Sequence, residues 1–423
     1  MSQEPVKYDA RHVQLLEAWE AIRKRPGMYI GSTGERGLHQ LVFEVAGLAA
    51  NEVLAGRASV IDVTLLPDGG VRVADDGAGV PFEDTAGPGL ETHLTRMEMR
   101  LGFCAPQYPM FGFGIVGPFV TNALSSRMVA EVQREGAHWV QEYKSGVAVT
   151  APTDAGRAAG NGTAVTFWPD ADIFEMAEFS FDVLAERFRE LAFLNRELSI
   201  SLTDTRSSVP RSVRFQSPRG VRDMVGFLDE QAAELVHPDI IGFEREDSRM
   251  AGTMEVALRW RRADQERVRS FANSRPTPGG GTHIVGFHSA VSEAVNAYAR
   301  KQQLLTKTDP DFDSERIGEG LTAIVSVKLE QPEFEGATHG VLGNAAARDC
   351  VREAVLEQLG NWLEEHPQQA AAIIDQIIMT GPAGRQARSR PREQNTDANA
   401  QPTATLRSRD VAAQVARRID TGD

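Results

Sequence analysis

Cysteine is nearly absent: two in 423 residues, Cys104 and Cys350, far apart and without metal-ligand spacing. That excludes a disulfide framework and fits a reducing compartment such as the cytoplasm. Uninterrupted apolar runs of about 18 residues are also missing, and the stretch from Met1 to Asp9 is polar, with no apolar h-region. Neither membrane spanning nor secretion is expected. An excess of positive charge is lacking too: 45 Lys and Arg stand against 59 Asp and Glu, a net charge of -14. This balance excludes a protein that coats nucleic acid through its whole surface, though not a local basic track. What is present, 41% hydrophobic and 25% charged residues without internal repeats, is enough for a soluble chain of two packed domains.

Apolar residues at helical spacing predict amphipathic helices over 13–24 and 38–54. Between them Arg23-Lys24-Arg25-Pro26-Gly27-Met28-Tyr29-Ile30-Gly31 breaks the period and is expected to be a loop. The β-branched stretches 59–65 and 70–74 are joined at Pro67-Asp68-Gly69-Gly70, a hairpin signal, and further strands are expected over 128–133, 138–143 and 163–168. The chain turns polar over 205–219, which places a domain boundary near 215–225. Beyond it, 254–260, 283–287 and 322–329 are expected to be strands, with closing helices over 344–365 and 368–379. From Gly381 onward Pro, Ser, Gln, Asn and Arg dominate, the composition of a disordered tail. Its eight Arg and five acidic residues make it +3 and the body -17.

The chemistry centres on Asp75-Asp76-Gly77-Ala78-Gly79-Val80-Pro81, directly after a strand. An acid at a strand end, followed by glycines, lets backbone approach a ligand closely. On the preceding helix Glu44 is placed to face the sheet. With these neighbours the chain resembles the N-terminal half of the DNA gyrase B family, within the GHKL superfamily of ATPases. The likeness runs from Tyr8-Asp9 through the Arg23–Gly31 segment, Gly37-Leu38-His39, Val42-Phe43-Glu44-Val45, Asn122-Ala123-Leu124-Ser125, Gln133-Arg134-Glu135-Gly136 and Gly162-Thr163. It continues through Gly279 to Phe287, Asn296-Ala297-Tyr298, Glu319-Gly320-Leu321 and Val325-Ser326-Val327-Lys328, which match the family's transducer domain in order.

The resemblance implies an α+β chain: a Bergerat-type ATP-binding α/β sandwich over 1–220 with a dimerisation arm over 1–20, a ribosomal-S5-like transducer over 221–380, and the disordered tail over 381–423. It makes Asp75 the acceptor of the adenine amino hydrogen, Gly79 the close-approach glycine and Thr163 the hydroxyl bracing adenine, with Gly77 in the same turn. Tyr8 matches the arm residue that enters the partner protomer's nucleotide site. Glu44 matches the general base that activates water. Gly112, Gly114, Val116 and Gly117 match the phosphate cradle, and His339 stands in the loop that reaches the γ-phosphate.

Several of these places depart from the family. Its catalytic helix reads Glu-Val-Val-Asp-Asn-Ala-Ile-Asp-Glu, whereas this chain reads Glu44-Val45-Ala46-Gly47-Leu48-Ala49-Ala50-Asn51-Glu52. Leu48 replaces the Mg²⁺ ligand, which an isobutyl group cannot do because magnesium takes oxygen ligands. Gln40 replaces the histidine that orients the base, so Glu44 is expected to have lost a partner. Ala78 replaces the arginine after Asp-Asp-Gly. Ile115 takes a cradle glycine's place, Pro118 removes a donor, and His339 replaces the lysine of Gln-Thr-Lys. Asp309, Asp311 and Asp313 mimic a metal motif but sit in a Pro-interrupted loop, expected to be solvated.

These losses point to a stand-alone dimerisation gate that binds ATP and hydrolyses it slowly or not at all, with no metal ligand set for Mg²⁺. Implied partners are a second copy, through the arm, or the B protein of a gyrase or topoisomerase IV. DNA contact through the transducer or the Arg-rich tail is a further possibility, and no membrane partner is implied. No Glu-Gly-Asp-Ser-Ala segment or Toprim region is found. The alternatives are an active ATPase subunit of a split ATP-hydrolysing topoisomerase and a nucleotide-independent protein-binding scaffold.

Overall fold

The computed structural model describes residues 16–54, 56–84, 89–96, 117–175, 178–230, 234–306, 308–336 and 340–380. The chain forms two compact units, Met1–Ser217 and Pro218–Asp423.

In the first unit the elements are α1 (Ala18–Lys24), α2 (Gly27–Ile30), α3 (Glu35–Leu54), β1 (Val60–Leu65), β2 (Val71–Asp75), α4 (Leu90–Thr95), α5 (Pro118–Ala123), β3 (Ser125–Arg134), β4 (Ala137–Lys144), β5 (Val147–Ala148), β6 (Thr153–Arg157), β7 (Gly162–Pro169), α6 (Phe181–Leu194), β8 (Ser199–Asp204) and β9 (Arg211–Phe215). Among the described residues the strands form one mixed sheet in the order β5-β4-β3-β7-β2-β1-β8-β9, with β6 also on β4; only β1 and β8 run parallel. Helix α3 buries Leu38, Leu41, Val42, Val45, Ala46, Ala49, Ala50 and Val53, a stripe at helical period. Ile61, Val63 and Leu65 of β1 and Val71 and Val73 of β2 are buried with it, every second residue of a strand. Each Leu, Val or Ile so removed from water contributes about 1.5–3 kcal/mol.

The segment 23–31 is not wholly a loop. Residues Gly27–Ile30 close one helical turn after Pro26, whose missing N–H costs nothing there, and Gly31 ends it at a φ of 82°. Arg23 explains why the break is ordered: its guanidinium donates to the Ala123 carbonyl (3.0 Å) and to Asp170 (2.6 Å).

The second unit contains α7 (Val221–Asp229), β10 (Ile241–Asp247), β11 (Gly252–Trp260), β12 (Arg267–Ala272), β13 (Arg275–Pro276), α8 (Thr282–Lys301), α9 (Ser314–Gly318), β14 (Leu321–Leu329), β15 (Phe334–Glu335), β16 (Val341–Leu342), α10 (Ala345–Glu365) and α11 (Pro367–Thr380). Its main sheet has the order β10-β11-β14-β12-β13, and the parallel β12/β14 pair is bridged by α8 and α9. The strand expected over 283–287 is therefore a correction: those residues open α8. A short β-branched run is ambiguous by itself, but burial of His283, Gly286, Phe287, Ala290, Val291, Ala294, Val295 and Tyr298 follows the helical period. A Cβ on Gly286 would lie 2.2 Å from the Arg348 carbonyl, so glycine lets α8 meet α10. The three acids of the 309–313 loop are all used locally. Asp309 accepts from Thr306 N, Asp311 from Arg300, and Asp313 caps α9. The tail over 381–423 lies outside the described residues, and among those described no helix is long and apolar enough to cross a membrane.

Candidate functional site

The β1/β2 hairpin pairs Ile61 with Asp75, so the last strand residue before the glycine turn is an acid. The β2/β7 ladder pairs Ala74 with Ala164. The next residues of β7, Thr163 and Gly162, therefore come beside the acidic turn, although Thr163 lies 88 residues from Asp75 in sequence. Asp75 Oδ1 accepts from the N–H of Gly77 (2.9 Å) and from that of Thr163 (3.4 Å). Both bonds fall on Oδ1, and among the described residues Oδ2 is left to accept.

Burial pushes the Asp75 carboxyl up to about 6; the two N–H groups oppose that, while Glu52 and Asp76 add to it. Its neighbour has a different task. Asp76 accepts from the hydroxyl (2.5 Å) and N–H (2.7 Å) of Ser59 and from Val60 N (2.9 Å). Burial alone would raise this carboxyl, but the Ser59 and Val60 bonds hold it below its ordinary value. Asp76 thus fixes the turn and Asp75 is presented.

Close approach is enforced at two glycines. Gly79 has a φ of 80°, and a Cβ there would lie 2.5 Å from the Gln133 carbonyl. Gly162, which opens β7, would place a Cβ 2.2 Å from the Asp75 carbonyl; its sequence neighbours gave no sign of that contact. Thr163 is buried, and its Oγ1 accepts from Val80 N at 2.9 Å, so its own hydrogen is left to donate. Arg134 donates to the Gly79 carbonyl at 3.2 Å and closes the turn from β3. Asp75, Gly77, Gly79 and Thr163 are thus brought together at one end of the sheet.

The second group lies on α3. Glu44 is only 1% exposed. Its Oε1 accepts from Gln40 Nε2 at 2.8 Å and its Oε2 from Gly117 N at 2.7 Å. The expected loss of an orienting partner is corrected here: a glutamine one helical turn earlier reaches the same carboxylate with its amide. Gly117 precedes α5 at a φ of 95°, and Pro118 takes the first helical position. That helix is tied to α3 by Thr121 Oγ1, which donates to the Leu41 carbonyl at 3.0 Å.

Leu48 continues the Gln40–Glu44 ridge but is half-buried against the apolar core. One turn on, the Asn51 side-chain oxygen is buried without a hydrogen bond among the described residues. Position 48 offers no oxygen to a cation, and both Glu44 oxygens already accept hydrogen bonds. His39, of the Gly37-Leu38-His39 motif, is structural. Its Nε2 accepts from Ser180 N at 2.8 Å, so Nδ1 carries the proton donated to the Glu35 carbonyl at 2.7 Å. Tyr8, Gly112, Gly114, Val116 and His339 lie outside the described residues.

The family DNA gyrase B matches residues 220–394. The DNA gyrase B protein of Streptomyces coelicolor is 44% identical over 397 residues, covering 89% of this chain and 58% of that protein. The novobiocin-sensitive DNA gyrase B protein of Streptomyces niveus is 42% identical, with 89% and 59% covered. The chain thus spans under two thirds of the length of these curated relatives. Among solved structures, the 43K ATPase domain of Thermus thermophilus gyrase B in complex with an aminocoumarin superposes with a TM-score of 0.74 at 33% identity, covering 88% of this chain and 97% of that one.

Proposed function

We propose, from the premise that this chain belongs to the DNA gyrase B family, that it is an ATPase/transducer module working as an adenine-nucleotide-responsive dimerisation gate, with hydrolysis slowed or lost. What supports this reading is the contrast between the Asp75, Gly79 and Thr163 cluster, gathered at one end of the sheet, and α3, where leucine stands at the place that the resemblance gives to a metal ligand. Asp75 Oδ2 accepts from the exocyclic amine, the Thr163 hydroxyl donates to the ring, and Gly79 lets backbone lie against the base. Glu44 holds a water for attack on the γ-phosphate, oriented by Gln40. No magnesium-dependent step follows from the side chains described. Tyr8 on the 1–20 arm joins nucleotide binding to pairing with a second copy or with the B protein of a gyrase or topoisomerase IV. His339 stands in for the phosphate-sensing lysine, and the transducer or the Arg-rich tail is where DNA contact would occur.

Calorimetric titration with a non-hydrolysable ATP analogue, with mass followed by light scattering, tests the gate. Binding accompanied by dimerisation is the expected result; no binding at millimolar nucleotide ends the reading and favours the protein scaffold. A second reading, an active ATPase subunit of a split topoisomerase, is favoured by the Gln40–Glu44 bond, which keeps the base oriented. Phosphate release that disappears in Glu44→Gln would select it.

A further inference from the structure

The resemblance leads one to expect an arginine after Asp-Asp-Gly, and Ala78 stands there. The segment that follows α3 runs along the same turn and carries a cation, Arg57, on its way. After α3 the backbone folds back, with the N–H groups of Arg57 (2.9 Å) and Ala58 (3.1 Å) on the Glu52 carbonyl. Ser59 and Val60 then bind Asp76. A Cβ built on Gly77 would lie 3.4 Å from the Arg57 carbonyl oxygen and from Ala58 Cβ, so this segment runs along the acidic turn. The Arg57 guanidinium grips Glu52 with two parallel bonds, Nε to Oε2 at 2.8 Å and Nη2 to Oε1 at 2.7 Å. A bidentate fork of this kind fixes the position of both charges.

We propose that Glu52 and Arg57 form a positioning pair for Asp75: Arg57 balances the Glu52 charge and thereby keeps the Asp75 carboxylate an acceptor for an adenine amine at neutral pH. Glu52 is mostly buried, at 14% side-chain exposure, and its negative charge acts against ionisation of Asp75. Arg57, at 40%, is the cation bonded to it. The charged groups around Asp75 can be taken element by element. From α3 comes Glu52, and from the following segment Arg57. The turn itself adds Asp76, which Ser59 and Val60 hold ionised. Arg134 of β3 is directed to the Gly79 carbonyl and to Glu135. Strand β7 offers only the Thr163 N–H, since none of its side chains is charged. On β1, Asp62 sits opposite Ala74 and is bonded to Ser201, and on β2 Arg72 pairs with Glu131. Among the described residues, Glu52 is thus the acid acting on Asp75 that is itself paired with a partly exposed arginine.

The proposal rests on the purine reading, and its test separates the two. Asp75 is titrated in the full chain by carbon NMR with labelled aspartate, its resonance identified by loss in Asp75→Asn. In parallel, the affinity for the non-hydrolysable ATP analogue is measured from pH 5.5 to about 8. Arg57→Gln should move the Asp75 midpoint up by roughly half a pH unit, Glu52→Gln should move it down, and Arg57→Lys should restore it. The affinity profile should follow, with binding to Arg57→Gln about twofold weaker near pH 6. Identical Asp75 midpoints in the wild type, Arg57→Gln and Glu52→Gln overturn the pairing. Midpoints that move while the analogue binds at no pH keep the electrostatic coupling and overturn the purine reading. Glutamine keeps the size of Glu52 and Arg57 reaches solvent, so the variants fold, and opposite shifts in the two of them exclude a general loosening.

Discussion

The two ends of the candidate site are built differently. The Asp75 end hangs on a strand-end turn held by the ladders of β1, β2 and β7, and each of its groups has little freedom. Asp76 is locked by three bonds, Gly79 and Gly162 touch neighbouring carbonyls, and the Thr163 hydroxyl is fixed by Val80 N. The α3 end is a ridge of side chains on one helix, Gln40, Glu44 and Leu48, in which a single substitution changes the chemistry and leaves the helix in place. A recognition element made of backbone geometry resists change, because altering it breaks the sheet. A ridge of side chains drifts more freely.

The largest effect that would sharpen this contrast is steric. Gly162→Ala should cost about 3 kcal/mol or more in denaturant unfolding, since its Cβ would meet the Asp75 carbonyl. Gly136→Ala, at a φ of 81° with open space around it, should cost only about 1 kcal/mol. Next comes binding: Asp75→Ala should weaken the ATP analogue about 10- to 100-fold by calorimetry, the worth of one charged hydrogen bond. Glu44→Ala should leave that affinity within about threefold, and equal losses in both variants would erase the distinction between the ends. Third, Leu48→Asn should raise Mg²⁺-dependent phosphate release about tenfold if the missing ligand limits turnover. The same change should lower stability by about 1 kcal/mol, as a half-buried leucine is given up.

The smallest effect is on pH dependence. The folded Asp75 carboxyl titrates near 6, above its ordinary 3.8, so the folded chain holds that proton more tightly than the unfolded one. The wild type should lose stability as pH rises from 3.8 through 6, and level off above. Asp75→Asn escapes this and should be more stable by about 1–2 kcal/mol at pH 7, with the advantage gone below pH 3.8, as seen in melts across pH. An unchanged difference at all pH values would show that the turn does not strain its acid.

Much of both ends was legible from residues near one another in the chain. The α3 stripe, the hairpin at 67–70 and the glycine turn after Asp75 are patterns within short windows, where period and turn chemistry speak directly. The run at 283–287 misled because five residues cannot show a period, and only packing against α10 made it helical. Gln40 reads as a loss by its identity, because its bond to Glu44 depends on two side-chain rotamers that sequence does not specify.

The sequence by itself determined the family, the amphipathic helices, the acidic glycine turn and the leucine where a metal ligand is expected, since each is a local choice of residue. The tertiary structure alone decided that Thr163 and Gly162 close over Asp75, that Gly117 bonds Glu44, and that Arg57 grips Glu52. Those relations join elements far apart in the chain or turn on the fold of a connecting segment. They are fixed by strand register and by burial summed over the whole sheet, quantities that no single window of sequence contains.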